Sequence, residues 1–210
     1  KSEEQFSGDM ALIAVGMQAN TTGLGLEAVG VQLERGFIKV DDRLRTNVPH
    51  VFAIGDVAGR QLLAHKASAE AEVCMGGITG HAVHPINYAQ VPACTYCQPQ
   101  VASIGLTEQQ CKDQGLKIKV GRFPYAASGK ANAIKHVEGV VKLIYGEPYG
   151  QLLGAHLIGA EATELIAELG LAMRLEATSE EILATIHAHP TLSEAVFEAT
   201  GAAYGLSANI

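Results

Sequence analysis

The sequence predicts an α/β segment followed by an α+β domain, in which an antiparallel sheet is flanked by helices. Two short apolar runs in the first part end in glycine, Met10–Gly16 and Val51–Gly55, and an alanine-rich stretch covers Leu63–Gly80. Uninterrupted apolar runs are typical of buried parallel strands. The alanine-rich stretch predicts a long helix, because alanine has the highest helix propensity. Beyond about Val91, grouped strand-like and helix-like segments favour the α+β class.

The second part predicts four strands and four helices, with the domain boundary between Gly80 and Val91. Thr178 followed three residues later by Glu181 matches a capping box and supports a helix start at Ser179. The predicted strands lie near Val101–Ile104, Lys117–Phe123, Gly139–Tyr145 and Leu152–Ile158, and the predicted helices are Thr107–Gln114, Ala162–Leu175, Ser179–Ala184 and Leu192–Ala203.

Composition limits the class of protein and its partners. Of 210 residues, 48% are hydrophobic and 18% are charged, which is typical of a packed globular protein. The net charge of −7 argues against a nucleic-acid partner, which attracts a basic surface. No apolar run approaches 18 residues, so we expect no membrane span. The first residue is lysine rather than methionine, so we expect part of a longer protein. No secretory signal is visible and the cysteines are few, so we expect it in the bacterial cytoplasm or an organelle matrix.

Four cysteines are too few for a disulfide scaffold at this length. Cys94 and Cys97 have C-x-x-C spacing, which permits a redox dithiol or, with His81 and His84 upstream, half of a zinc site. They lie, however, in a segment between two prolines that predicts an extended strand, in which alternate side chains face opposite sides. We therefore predict no metal site and favour unpaired thiols, with the metal and redox roles as alternatives.

The segment from His187 to Glu194 carries the best candidate for proton transfer. Imidazole titrates closest to physiological pH, and His189 precedes a proline that restricts its backbone. A carboxylate that reaches its second nitrogen would fix the tautomer and stabilise the imidazolium, and Glu194 is the candidate. In the alternative interpretation, His189 is a loop residue ahead of a helix that Thr191 or Ser193 caps.

Two motifs in the first part resemble the two-dinucleotide flavoprotein disulfide reductases, the class I pyridine nucleotide-disulfide oxidoreductases. These motifs are Ala-Ile-Gly-Asp at 53–56 and Leu-Ala-His-Lys-Ala at 63–67. The resemblance implies that Asp56 binds the ribityl chain of FAD and that Gly16 lies beside NAD. It also implies a flavin-facing turn at the start of the following helix, whose positive end would stabilise charge on the reduced flavin. The turn consists of Leu62, Leu63, Ala64 and His65.

Further segments resemble the family members that oxidise dihydrolipoamide. The eight residues from His187 to Glu194 have the form typical of these members, whereas glutathione-type reductases share only the His-Pro-Thr-x-x-Glu core. The segments 15–27, 101–108 and 153–165 agree in the same order along the chain. By this resemblance, residues 1–18 end an NAD-binding domain, residues 19–86 form a central domain on the FAD side, and residues 87–210 form an interface or dimerisation domain.

The resemblance implies oxidation of dihydrolipoamide by NAD, through FAD and a redox disulfide. His189 would be the base and Glu194 its orienter, acting on the disulfide of the partner subunit in a homodimer. Lipoyl groups of a 2-oxo-acid dehydrogenase or glycine cleavage complex would be the partners. The chain has no Gly-x-Gly-x-x-Gly and no Cys-x4-Cys segment, so we expect it to be inactive alone. The alternatives are a non-catalytic dimerisation module and another, glutathione-type reductase of this family.

Overall fold

The computed structural model describes residues 4–208, and the chain forms two compact units, residues 1–86 and 87–210. No helix within residues 4–208 is long and apolar enough to cross a membrane. The fold is mixed α/β with antiparallel sheets, and each unit is described below by itself.

The first unit is built from loops, one short hairpin and one long helix. Strands β1 (Leu33–Glu34) and β2 (Phe37–Ile38) pair antiparallel. A 3₁₀ turn, Gly55–Ala58, precedes helix α1 (Ala64–Ile78), which confirms the predicted helix. A small buried cluster of Val31, Ile38 and Ala53 forms the core of this unit.

Both strands predicted in the first unit were wrong. Met10–Gly16 forms no strand and its side chains are exposed, while the second apolar run contributes only a single bridge from Phe52 to Arg45. A strand needs a hydrogen-bonded neighbour for its backbone groups, and residues 4–208 place none beside Met10–Gly16. Apolar runs indicate a preference for burial, but they do not supply the partner strand.

The second unit contains a five-stranded antiparallel sheet in the order β3-β4-β7-β6-β5. The four predicted strands are confirmed within two residues at each end, and a short edge strand lies in the segment between the prolines. The strands are β3 (Ala93–Thr95), β4 (Gln100–Gly105), β5 (Ile118–Pro124), β6 (Val140–Gly146) and β7 (Leu152–Gly159).

Five helices accompany this sheet, and the four predicted ones are confirmed. They are α2 (Glu108–Asp113), α3 (Gly129–Ala133), α4 (Ala162–Arg174), α5 (Ser179–Ala184) and α6 (Glu194–Ala203). Helix α4 packs on β4 and β7, and α6 packs on β5 and β6. The core between them includes fully buried Leu143, Leu157, Leu169 and Val196. Each such side chain contributes about 1.5–3 kcal/mol by leaving water.

Two local features position the segment between α5 and α6. The predicted capping box is confirmed: Glu181 accepts from Thr178 N–H at 2.6 Å, and α5 therefore starts at Ser179. A side chain at Gly121 on β5 would collide with the backbone of Ala199, so glycine permits the close approach of α6 to the sheet. Helix α6, whose first residue is Glu194, thereby packs directly on the sheet.

Candidate functional site

His189 and Glu194 lie within hydrogen-bond distance of each other. Nδ1 of His189 is 2.8 Å from Oε1 of Glu194, the first residue of α6. The His189 side chain is 77% exposed, and among residues 4–208 its Nε2 has no hydrogen-bond partner. Because a carboxylate only accepts, Nδ1 carries the proton, and Nε2 of the neutral ring offers a lone pair to solvent.

The electrostatics of the pair favour an ionised orienting carboxylate. Oε2 of Glu194 accepts from the Thr191 backbone N–H at 2.9 Å. This hydrogen bond, and after it the neighbouring His189, hold the pKa of the Glu194 carboxyl below its ordinary value, although slight burial opposes them. A negative charge in the first turn of α6 also interacts favourably with the helix dipole. The arrangement is therefore chemically able to accept a proton at Nε2 and to stabilise the imidazolium that results.

In the alternative interpretation, the predicted side-chain cap was wrong. His189 does lie in a loop ahead of α6, and Ser193 occupies the N-cap position, but among residues 4–208 no side chain caps this helix. The Thr191 hydroxyl donates to Ala188 C=O at 2.6 Å and contacts the Ser193 hydroxyl at 2.8 Å. These bonds close the turn that precedes α6, and the His189–Pro190 peptide bond within it is cis.

A second imidazole anchors the same loop, and the sequence did not reveal its partner. Nε2 of His187 lies 2.8 Å from Oε1 of Glu168 on α4, and Nδ1 lies 3.1 Å from Thr185 C=O. The His187 side chain is only 6% exposed and its ring packs at 6.1 Å from that of Phe197. The loop before His189 is thus fixed to α4 and α6, through a contact across 19 positions that no local pattern indicates.

Asp56 lies in the 3₁₀ turn of the first unit, with its side chain exposed. The turn begins at Gly55 and is followed by Gly59, and both glycines have positive φ, 73° and 76°. Helix α1 starts beyond it at Ala64, and its N-cap residue Leu63 provides no side-chain cap. A helix N-terminus without a side-chain cap offers amides and positive potential to an anionic or polar ligand.

These features fit the part of FAD that the family resemblance implies for them. Asp56 offers acceptor oxygens that suit sugar-like hydroxyls, and the helix start offers donors. Leu62 and Leu63 are half-buried, while Ala64 and His65 are exposed. Asp56 and the start of α1 belong to the first unit, whereas His189 and Glu194 belong to the second.

Within residues 4–208, neither Gly16 nor any cysteine lies in a recognisable binding site. Gly16 has a φ of 136°, and a Cβ there would meet no atom within 4 Å. Cys94 is half-buried on β3, whereas Cys97 follows the strand, is exposed, and lies 3.0 Å from Pro99 C=O. All four cysteines are free, and within residues 4–208 no group of three His, Cys, Asp or Glu is placed to hold a metal.

The sheet with its flanking helices and histidine loop defines the class of domain. Residues 91–200 match the family described as pyridine nucleotide-disulphide oxidoreductase, dimerisation domain, and residues 1–71 match the one described as pyridine nucleotide-disulphide oxidoreductase. The chain therefore belongs to the pyridine nucleotide-disulphide oxidoreductase family, which confirms the resemblance drawn from its motifs.

Several curated relatives carry the name dihydrolipoyl dehydrogenase. That of Rhizobium etli is 51% identical over 203 residues, covering 96% of this chain and 42% of the relative. That of Zymomonas mobilis is 50% identical over 205 residues, covering 97% of this chain and 44% of the relative. The chain thus spans less than half the length of these curated relatives.

Solved structures share the fold. LpdA from Mycobacterium tuberculosis superposes with a TM-score of 0.83 at 29% identity, over 87% of this chain and 40% of that protein. The HOCl-induced flavoprotein disulfide reductase RclA from Escherichia coli gives 0.82 at 26% identity, over 90% of this chain and 44% of that protein.

Proposed function

We propose that this chain is the C-terminal part of a flavoprotein that oxidises dihydrolipoamide with NAD, through FAD and a redox disulfide. The observation that carries the proposal is the 2.8 Å contact between His189 Nδ1 and Glu194 Oε1, which leaves Nε2 exposed. A non-catalytic dimerisation module gives no reason for this geometry. The relatives named dihydrolipoyl dehydrogenase supply the substrate class.

The proposed role of His189 is to move one proton. A thiol attacks a disulfide as its thiolate, so the S–H proton of dihydrolipoamide must first leave. Nε2 of His189 accepts that proton, and the Glu194 carboxylate stabilises the imidazolium through Nδ1–H. A positioned base of this kind contributes about 10²–10⁴-fold in rate.

The proposed cofactor contacts involve the first unit. FAD, when bound, would supply the redox chemistry that carries two electrons from the reduced dithiol to NAD as a hydride. Asp56 accepts a hydrogen bond from a ribityl hydroxyl, and Leu62, Leu63, Ala64 and His65 form the turn that faces the flavin. Gly16 lies beside NAD in this proposal. Residues 1–18, 19–86 and 87–210 then belong to the NAD, central and interface domains.

The proposed assembly is a homodimer, in which each subunit supplies its base to the disulfide of the other. The match to a dimerisation domain supports a dimer. Exposed apolar side chains near the histidine loop, on α4 and directly after α4 also support it. Ile186 is 96%, Leu171 62% and Leu175 70% exposed. Lipoyl groups of a 2-oxo-acid dehydrogenase or glycine cleavage complex are the proposed partners, in a bacterial cytoplasm or an organelle matrix.

The substrate class is tested by steady-state assays on the full-length protein. We expect a yellow protein that reduces NAD with dihydrolipoamide. We expect the rate of glutathione disulfide reduction with NADH or NADPH to be lower by orders of magnitude. A colourless protein, or one that prefers glutathione disulfide, would contradict the proposal and favour the glutathione-type alternative.

A further inference from the structure

Lys66 and Glu70 form a fully buried ion pair on α1 that the proposed proton transfer does not use. Nζ of Lys66 lies 3.1 Å from Oε2 of Glu70, and the two side chains are 0% and 1% exposed. Removing two charges from water carries a penalty that their mutual attraction often fails to exceed. Stability alone therefore does not explain why charged residues occupy these positions.

The pair also forms hydrogen bonds with the backbone of the Asp56 turn. Lys66 Nζ donates to Gly55 C=O at 3.0 Å and to Gly59 C=O at 3.1 Å. Glu70 Oε2 accepts from Gly55 N–H at 2.7 Å. The pair thus holds both ends of the turn, and Asp56 lies between them with its carboxylate exposed.

We propose that Lys66 and Glu70 are positioning residues for flavin binding, which fix the turn carrying Asp56 to the first turns of α1. The ribityl-binding carboxylate and the flavin-facing helix start are thereby held in one preformed arrangement. The inference rests on the proposed function, because FAD is the ligand that benefits. Preformed geometry improves affinity since less ordering remains to be done on binding.

The charges of the pair suit this role. Two carbonyl acceptors and one amide donor converge from the turn; the Lys66 ammonium donates to both carbonyls, and the Glu70 carboxylate accepts from the amide. The pair is neutral as a whole, so it does not cancel the positive potential at the start of α1. Two apolar side chains would fill the same volume but would leave Gly55 and Gly59 untethered.

FAD titration of the full-length protein tests this role. FAD is first removed and then titrated back. The Lys66→Met variant keeps the volume of the side chain but loses the hydrogen bonds to both glycines. We expect its Kd for FAD to rise at least about tenfold, equivalent to roughly 1.4 kcal/mol. We also expect the visible absorption of the bound flavin to shift, because the amides at its edge move. A purely structural pair would leave that absorption unchanged.

A second variant and a control keep the test decisive. Lys66→Met/Glu70→Met leaves no unpaired buried charge, so it folds more readily than the single variant, and the same loss of FAD affinity is expected. Glu72→Gln changes an exposed carboxylate on the same helix and should bind FAD like the wild type. If the double variant binds FAD with wild-type affinity and absorption, the positioning role of the pair is wrong, while the proposed function still stands. A wild-type protein that binds no FAD rejects the proposed function as well.

Discussion

At the scale of single residues, the two oxygens of Glu194 have separate partners. Oε1 faces His189 Nδ1, and Oε2 accepts from Thr191 N–H. The carboxylate therefore orients the imidazole and holds the turn that carries it. The sequence predicted the first contact from spacing and residue type. It did not predict the second, because a bond to the backbone of Thr191 depends on how the loop folds.

Glu194→Gln in the full-length protein is the first prediction. The amide keeps the shape but offers only one acceptor oxygen, so either His189 or the Thr191 N–H faces an NH₂ group. We expect kcat for dihydrolipoamide to fall about ten- to a hundredfold, less than the loss on removing the base itself. Unchanged kcat would contradict the orienting role. Glu138→Gln, at an exposed position, is the control.

At the scale of elements, prediction succeeded where the partners of an element lie within the chain. Strands β4 to β7 pair with one another, so their apolar patterns matched the observed ranges. Met10–Gly16 has the same kind of pattern but no neighbour among the described residues, and it forms no strand. Lys66 and Glu70 have the spacing of an ordinary surface pair, and only the folded structure reveals their burial.

The contact between α4 and the histidine loop yields the second prediction. Glu168→Gln weakens the hydrogen bond to His187 and loosens the loop that carries His189. A displacement of a catalytic group by 1 Å can cost on the order of 100-fold. We expect a smaller displacement here, so that kcat falls by up to about tenfold with little change in KM. Steady-state kinetics measures both constants. Glu164→Gln, one turn earlier and exposed, should have no effect, and equal kinetics in the two variants would refute the tether.

At the scale of the whole molecule, Leu171 on α4 and Leu175 directly after this helix are largely exposed to solvent. Exposed apolar patches of this kind mark interaction surfaces. We therefore predict that the chain is a dimer at micromolar concentration and that Leu171→Glu shifts it towards monomer. Size-exclusion chromatography with light scattering measures both species. A monomeric wild type would contradict the dimer.

Three carboxylates of the second unit give the fourth prediction. The pKa of Glu194 is lowered mainly by Thr191 N–H, and that of Glu181 by Thr178. Burial raises the pKa of Glu108, but hydrogen bonds from Lys142 and Arg122 outweigh it, so that pKa is also lowered. Each folded pKa lies below the ordinary glutamate value of 4.5. These groups therefore stabilise the fold above that pH, and the stabilisation is lost as pH falls through the folded pKa values.

Urea unfolding from pH 8 to pH 3 measures this effect. We expect a midpoint that changes little down to about pH 5 and then declines as the three carboxylates take up protons. Glu108→Gln should make the decline shallower, since one of the groups responsible is removed. A urea midpoint that rises on acidification would contradict the predicted loss of stability.

The central claim, that His189 is the base of the dithiol–disulfide exchange, is tested most directly by rapid mixing of the oxidised full-length protein with dihydrolipoamide. We expect His189→Gln to slow enzyme reduction by about 10²–10⁴-fold at neutral pH while FAD stays bound. The exposed His136→Gln should reduce at the wild-type rate. Reduction of His189→Gln at the wild-type rate would contradict the account.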